Sequence, residues 1–170
     1  LRPQQGTVTV FGRDPVGDPV NVLSRLGYLS EQQELPEWMR IGDLLSYTGA
    51  FYPTWDDDFA RELAESFQLN PAARVKTLSK GQRARVGLVA ALAHRPEILI
   101  LDEPSSGLDP IVRRDILAAI IRTISEEGRT VILSSPLLDE VERVADHIAL
   151  LHQGQILVSG PLEQMRQMFR

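Results

Sequence analysis

Hydrophobic residues fall into two alternating rhythms over the second half of the chain. Ile98-Leu99-Ile100-Leu101 is continuously apolar and short, the pattern of a strand buried in a parallel sheet. Apolar positions then recur at helical spacing over residues 110–127, where Gly128 stops them, and residues 130–134 form a β-branched, apolar run. Residues 137–145 read as a helix. Residues 148–152 and 155–159 read as a hairpin around Gln153-Gly154, and Gly160-Pro161 opens a short terminal helix. Near-continuous apolar strands alternating with helices predict an α/β fold whose parallel sheet is covered on both faces.

The first half is less regular. Residues 7–11 alternate between Gly6 and Gly12 and predict a short strand, as do residues 25–29. Helical spacing predicts helices over 41–52 and 56–69, with Thr54 placed to cap the second, and another from 79 to about 93. Six of the ten aromatic residues, Trp38, Tyr47, Phe51, Tyr52, Trp55 and Phe59, lie in or beside the first two helices. They predict a small helical subdomain, about residues 36–95, with either an aromatic core or an aromatic contact surface.

Composition narrows the chemistry. At 170 residues, 43% apolar and 24% charged, the chain fits one globular domain. Without cysteine, neither disulfides, cysteine-ligated zinc nor thiol catalysis applies. His94, His147 and His152 lack metal-ligand spacing. A net charge of -5 argues against nucleic acid as a partner. Against that background Arg74, Lys76, Lys80, Arg83 and Arg85 cluster as a local anion site or a solvated helix face. No run approaches eighteen apolar residues and no secretory signal opens the chain, which is cytosolic in character.

Two segments carry chemistry. Ser79 and Gln82 have capping-box spacing at the start of a helix, and Gly81 between them leaves the first-turn amides open to an anion favoured by the helix dipole. The strand at 98–101 delivers Asp102 and Glu103 to its carboxyl end, where an open parallel sheet binds its ligands. Asp102 suits magnesium held through water, and Glu103 suits a base polarising an attacking water. Downstream, Asp109 is placed to cap the next helix with Pro110 at its first position.

These residues resemble the nucleotide-binding domain of ATP-binding cassette (ABC) transporters. Leu78-Ser79-Lys80-Gly81-Gln82 is similar to the signature motif, residues 98–103 to the Walker B strand and catalytic glutamate, and Ser106-Gly107-Leu108-Asp109 to the D-loop. The resemblance covers nearly the whole chain. It implies a P-loop NTPase-like (RecA-like) parallel sheet core with a small helical subdomain, and ATP with Mg2+ as ligands. It also implies a head-to-tail dimer in which Ser79, Lys80, Gly81 and Gln82 cap the γ-phosphate of ATP held by the other subunit, while Asp109 couples the two sites. A transmembrane permease as second partner, and a cytoplasmic location peripheral to the inner face of the cell membrane, follow from the same resemblance. So does a contact between the loop at 31–40, with the aromatic cluster behind it, and a short helix of the permease. The residues around Tyr28 and 137–141 look more like bacterial exporters than importers.

Three departures qualify that picture. No window supplies a Gly-x-x-x-x-Gly-Lys-[Ser/Thr] loop, so the sequence reads as the partial domain of a working ATPase, expected to bind ATP poorly by itself and to expose an apolar edge beside residues 98–101. Pro136, expected at the first position of a helix capped by Ser135, stands where the family has its switch histidine. Glu31 follows Ser30 where the family usually has a magnesium-binding glutamine, with Gln32 and Gln33 nearby. Pro136 and the absent loop also fit a non-catalytic regulatory or dimerisation module. A soluble, non-transport ABC ATPase is the other alternative, disfavoured by the lack of coiled-coil and cysteine-zinc insertions.

Overall fold

Strands β1 (Leu26–Leu29), β2 (Ile98–Asp102) and β3 (Thr130–Ser134) form a parallel sheet in the order β1-β2-β3. The register pairs Leu29 with Leu101, Leu101 with Leu133, and Asp102 with Ser134. In this computed structural model residues 3–125 and 128–168 are described. The chain forms two compact units, Leu1–Ser134 and Ser135–Arg170.

In the first unit β2 is central, flanked by hydrogen-bonded neighbours on both sides. Among the described strands the outer ones are β1 and β3, so the apolar edge expected beside residues 98–101 is not found there. The expectation of a sheet covered on both faces also fails for this unit. One face, with Leu29, Leu99 and Leu101, is buried, whereas Tyr28 on the other is 56% exposed.

The covered face packs against helix α4 (Lys80–Leu92), and helix α5 (Pro110–Ser125) lies on β3. Close approach of α4 depends on glycines. A Cβ on Gly27 would clash with the Ala91 carbonyl, and one on Gly87 would lie 2.6 Å from Leu29 Cδ1. Ile116 and Ile120 of α5 are fully buried, each side chain contributing about 1.5–3 kcal/mol by leaving water.

Before the sheet, residues 7–11 form no strand. Only an isolated bridge joins Val10 to Arg13, and Val8 is half exposed, so alternation without a pairing partner did not suffice. A short helix α1 (Pro19–Leu23), with proline in its first turn, precedes β1. Helices α2 (Ile41–Gly49) and α3 (Asp57–Ser66) follow, and both pack on α4.

Asp56, not Thr54, caps α3 by accepting from the Phe59 amide over 2.9 Å. Thr54 instead donates to the His94 carbonyl over 2.7 Å. The aromatic group divides: Phe59 is buried, but Trp38, Tyr47 and Phe51 are 73, 55 and 66% exposed, making them surface rather than core.

The second unit contains helix α6 (Leu138–Val144), the antiparallel hairpin β4 (His147–His152) and β5 (Gln155–Pro161), and helix α7 (Leu162–Met168). Gln153 and Gly154, both at positive φ, make the two-residue turn. Helix α6 begins at Leu138, so Pro136 precedes it and does not occupy its first position. Ser135 nevertheless organises this entry, accepting from the Leu137 amide at 3.1 Å and donating to the buried Glu140 carboxylate at 2.8 Å. Among the described residues no helix is long and apolar enough to cross a membrane.

Candidate functional site

At the carboxyl end of β2 the chain turns sharply. Asp102 ends the strand in an exposed position, and half-buried Glu103 takes φ +45°, a left-handed conformation that L side chains avoid. Ser134, beside Asp102 in the register, holds both. Its hydroxyl donates to Asp102 Oδ1 over 2.7 Å and accepts from the Glu103 amide over 3.0 Å. The same amide donates to the Ser134 carbonyl over 3.1 Å. Ser134 carried no functional expectation. Its only sequence signal is a small polar residue closing a β-branched run, and its role appears once the register is known.

Past Glu103, two consecutive turns carry the chain over buried Pro104 and Ser105 to Gly107, at φ +65°. Asp109 then caps α5, its carboxylate accepting from the amides of Ile111 and Val112 at 3.0 and 3.1 Å. Both parts of that reading hold: Asp109 is the cap and Pro110 opens the helix. Glu31, exposed after β1, reaches this turn, where Ser106 Oγ donates to it over 3.4 Å. Gln32 is exposed, whereas Gln33 is buried at positive φ.

The capping box at 79–82 is fully formed. Ser79 Oγ accepts from the Gln82 amide at 3.2 Å, and Gln82 Oε1 accepts from the Ser79 amide at 3.0 Å. The first-turn amides of Lys80 and Gly81 remain outside the helix ladder, the anion-binding end of a helix dipole. Gly81 also has a packing role at this helix start. It is buried, and a Cβ there would lie 2.9 Å from Val112 Cγ2, so glycine serves the contact between α4 and α5. The Lys80 ammonium lies over Gly107, 2.9 Å from where a Cβ would stand, which brings the 79–82 segment and the 104–109 turn together in one chain.

The basic cluster does not converge. Arg83 pairs with Glu37 at 3.0 Å and Arg85 with Asp115 at 2.6 Å, while Arg74 and Lys76 are exposed. Among the described residues no group of three His, Cys, Asp or Glu side chains forms a metal cage. The donor set does fit magnesium, which takes one or two carboxylates and completes its shell with water and phosphate oxygens. Asp102, with one oxygen engaged by Ser134, and Glu31 are the oxygen donors available for that purpose.

A parallel sheet presenting paired carboxylates at the end of its central strand is where open α/β folds bind their ligands, and the solved structures similar to this chain give it the P-loop NTPase fold. The family model for the ABC transporter matches residues 1–106, and the chain belongs to that family. It is 32% identical over 171 residues to the ABC transporter ATP-binding protein NatA of Bacillus subtilis (strain 168), covering 97% of this chain and 69% of that protein. A solved ATP binding subunit of an ABC transporter is similar with a TM-score of 0.88 at 25% identity, over 99% of this chain and 72% of that one. The dimeric post-hydrolysis state of the ATP-binding cassette MJ0796 bound to ADP and Pi shares the fold, with a TM-score of 0.82 at 20% identity over 95% of this chain and 75% of that one. The chain spans 64 and 48% of two further curated relatives' lengths.

Proposed function

We propose that this chain is the ATP-hydrolysing core of an ABC transporter ATP-binding subunit, coupling ATP binding and hydrolysis to transport by a membrane permease. The observation that carries the reading is the Asp102–Glu103 pair, held at the carboxyl end of the central strand by Ser134. In it Glu103 accepts a proton from the water that attacks the γ-phosphate, which leaves as inorganic phosphate with ADP as the other product. Asp102 and Glu31 would hold the magnesium ion, which when bound neutralises charge on the phosphate oxygens.

In a head-to-tail homo- or heterodimer, Ser79, Lys80, Gly81 and Gln82 of one subunit face the γ-phosphate bound to the other. Support for this comes from the amides of Lys80 and Gly81, left over at the amino end of α4, and from the nearby Lys80 ammonium. Asp109 fixes the start of α5, and the turn leading to it carries Gly107 against Lys80, which puts the turn in contact with the anion-binding helix. That arrangement suits Asp109 as the residue coupling the two sites. The exposed aromatic surface of Trp38, Tyr47 and Phe51 is the proposed seat of a permease helix, and a subunit docked there would sit on the cytoplasmic face of the membrane.

The reading is tested by ATP turnover of the complete polypeptide carrying this sequence, with its permease. Glu103→Gln should lower kcat by about 100-fold or more while nucleotide still binds. Wild-type turnover in that variant would overturn the assignment. One observation favours a second reading, a non-catalytic dimerisation module: Pro136 offers no side-chain hydrogen bond where the family has its switch histidine. A nucleotide titration on this chain and on an N-terminally extended version separates the two, since the module would hold its permease in both cases without nucleotide.

A further inference from the structure

We propose that Ser134 is a positioning residue that aims both carboxylates of the hydrolytic pair; the inference rests on the reading of Glu103 as the base. Donor and acceptor logic fixes the hydroxyl. The Glu103 amide can only donate, so Ser134 Oγ accepts from it at 3.0 Å, and its own proton then points at Asp102 Oδ1, 2.7 Å away. One hydroxyl thus spans the Asp102–Glu103 peptide unit, and the Glu103 amide is shared with the Ser134 carbonyl at 3.1 Å.

The clamp has two consequences. It occupies one Asp102 oxygen with a hydrogen bond, which orients the carboxylate and leaves Oδ2 facing away from the bond. It also supports Glu103 at φ +45°, where the side chain leaves the strand in a direction that an extended residue could not give it. Strained backbone of this kind persists when its surroundings over-determine it, and here two acceptors on one neighbouring residue do so. Ser134 touches neither nucleotide nor water in this scheme; it acts through the two residues that do.

Threonine and valine have nearly the same shape and differ in the hydroxyl, and both suit a strand. Ser134→Thr and Ser134→Val therefore separate hydrogen bonding from packing, and Ser134→Ala removes the hydroxyl without adding bulk. In the complete polypeptide, Ser134→Val and Ser134→Ala should lower kcat about tenfold or more with the KM for ATP within about twofold, and Ser134→Thr should stay within about threefold of wild type. On this chain, amide hydrogen exchange at Glu103 should accelerate at least about tenfold in the valine variant but not in the threonine one, with the remaining β2 and β3 amides unchanged. Equal losses in the threonine and valine variants, or wild-type kcat in the valine variant while Glu103→Gln is inactive, would overturn the role of the hydroxyl. Full activity in Glu103→Gln would instead remove the base assignment, and this inference with it.

Discussion

Gly81 and Val112 meet with no room for a methyl group between them: a Cβ on Gly81 would stand 2.9 Å from Val112 Cγ2. Gly81 is thus a packing residue within its own chain, whatever it also does for a nucleotide on a partner. Gly81→Ala should gain about 1 kcal/mol of helix propensity and lose about 1–3 kcal/mol to overpacking, a net destabilisation. Adding Val112→Ala relieves the clash, so urea unfolding of the four variants should show a favourable coupling of at least about 0.5 kcal/mol. Strict additivity would show that α4 and α5 separate freely at this point.

The sequence patterns that proved legible were those whose cause is local. The capping box at Ser79 and Gln82 needs only its own four residues, Asp109 needs only the next helix turn, and the continuous apolar run at 98–101 needs only burial. What failed depended on partners distant in sequence. Residues 7–11 alternate properly yet find no strand to pair with, and Thr54 was diverted from capping by the His94 carbonyl forty residues on. The candidate site divides the same way. Asp102 and Glu103 were visible in one run of sequence, whereas Ser134 belongs with them only through the β2–β3 register.

His94 gives the fold an acid-sensitive point. It is 1% exposed, stacked on Tyr52 at 3.9 Å between ring centroids, and 3.1 Å from the Leu26 carbonyl. Burial holds its pKa below the ordinary 6.5, and the positive charge of Arg129 acts in the same direction, while the carbonyls of Leu26 and Ala90 oppose both. The unfolded chain therefore binds the proton more readily. The contribution of neutral His94 is present above pH 6.5 and is lost as pH falls below it toward the lower folded value. The urea midpoint should drop between pH 7.5 and 5, and His94→Gln should show a smaller drop. Identical pH profiles would exclude His94 as the source.

The exposed aromatic surface makes a different kind of prediction, because its residues contribute little to the fold. Tyr47 and Phe51 meet edge to face, with centroids 5.1 Å apart, and Trp38 is 73% exposed. Trp38→Ala and Tyr47→Ala should each change stability by no more than about 0.5 kcal/mol, as is usual for surface substitutions. Both should weaken co-purification with the permease, because aromatic side chains commonly dominate contact energy. Unchanged co-purification with a normal melting temperature would move the docking surface elsewhere.

Pro136 can be replaced without disturbing the helix that follows it. It is exposed, it precedes α6 by two residues, and the hydrogen bonds that organise the entry run through Ser135 to Leu137 and Glu140, bypassing position 136. On the proposed reading, a side chain there would serve chemistry. In the family pattern that side chain is a histidine, which can both donate and accept a hydrogen bond; proline can do neither. Pro136→His in the complete polypeptide should leave the unfolding midpoint nearly unchanged and raise ATP turnover by about 100-fold or more, the lower end of the range for a positioned acid–base group. The gain should vanish in the background of Glu103→Gln, since a water oriented without a base to receive its proton does not react. An unchanged rate in Pro136→His with intact nucleotide binding would show that proline at this position is no defect.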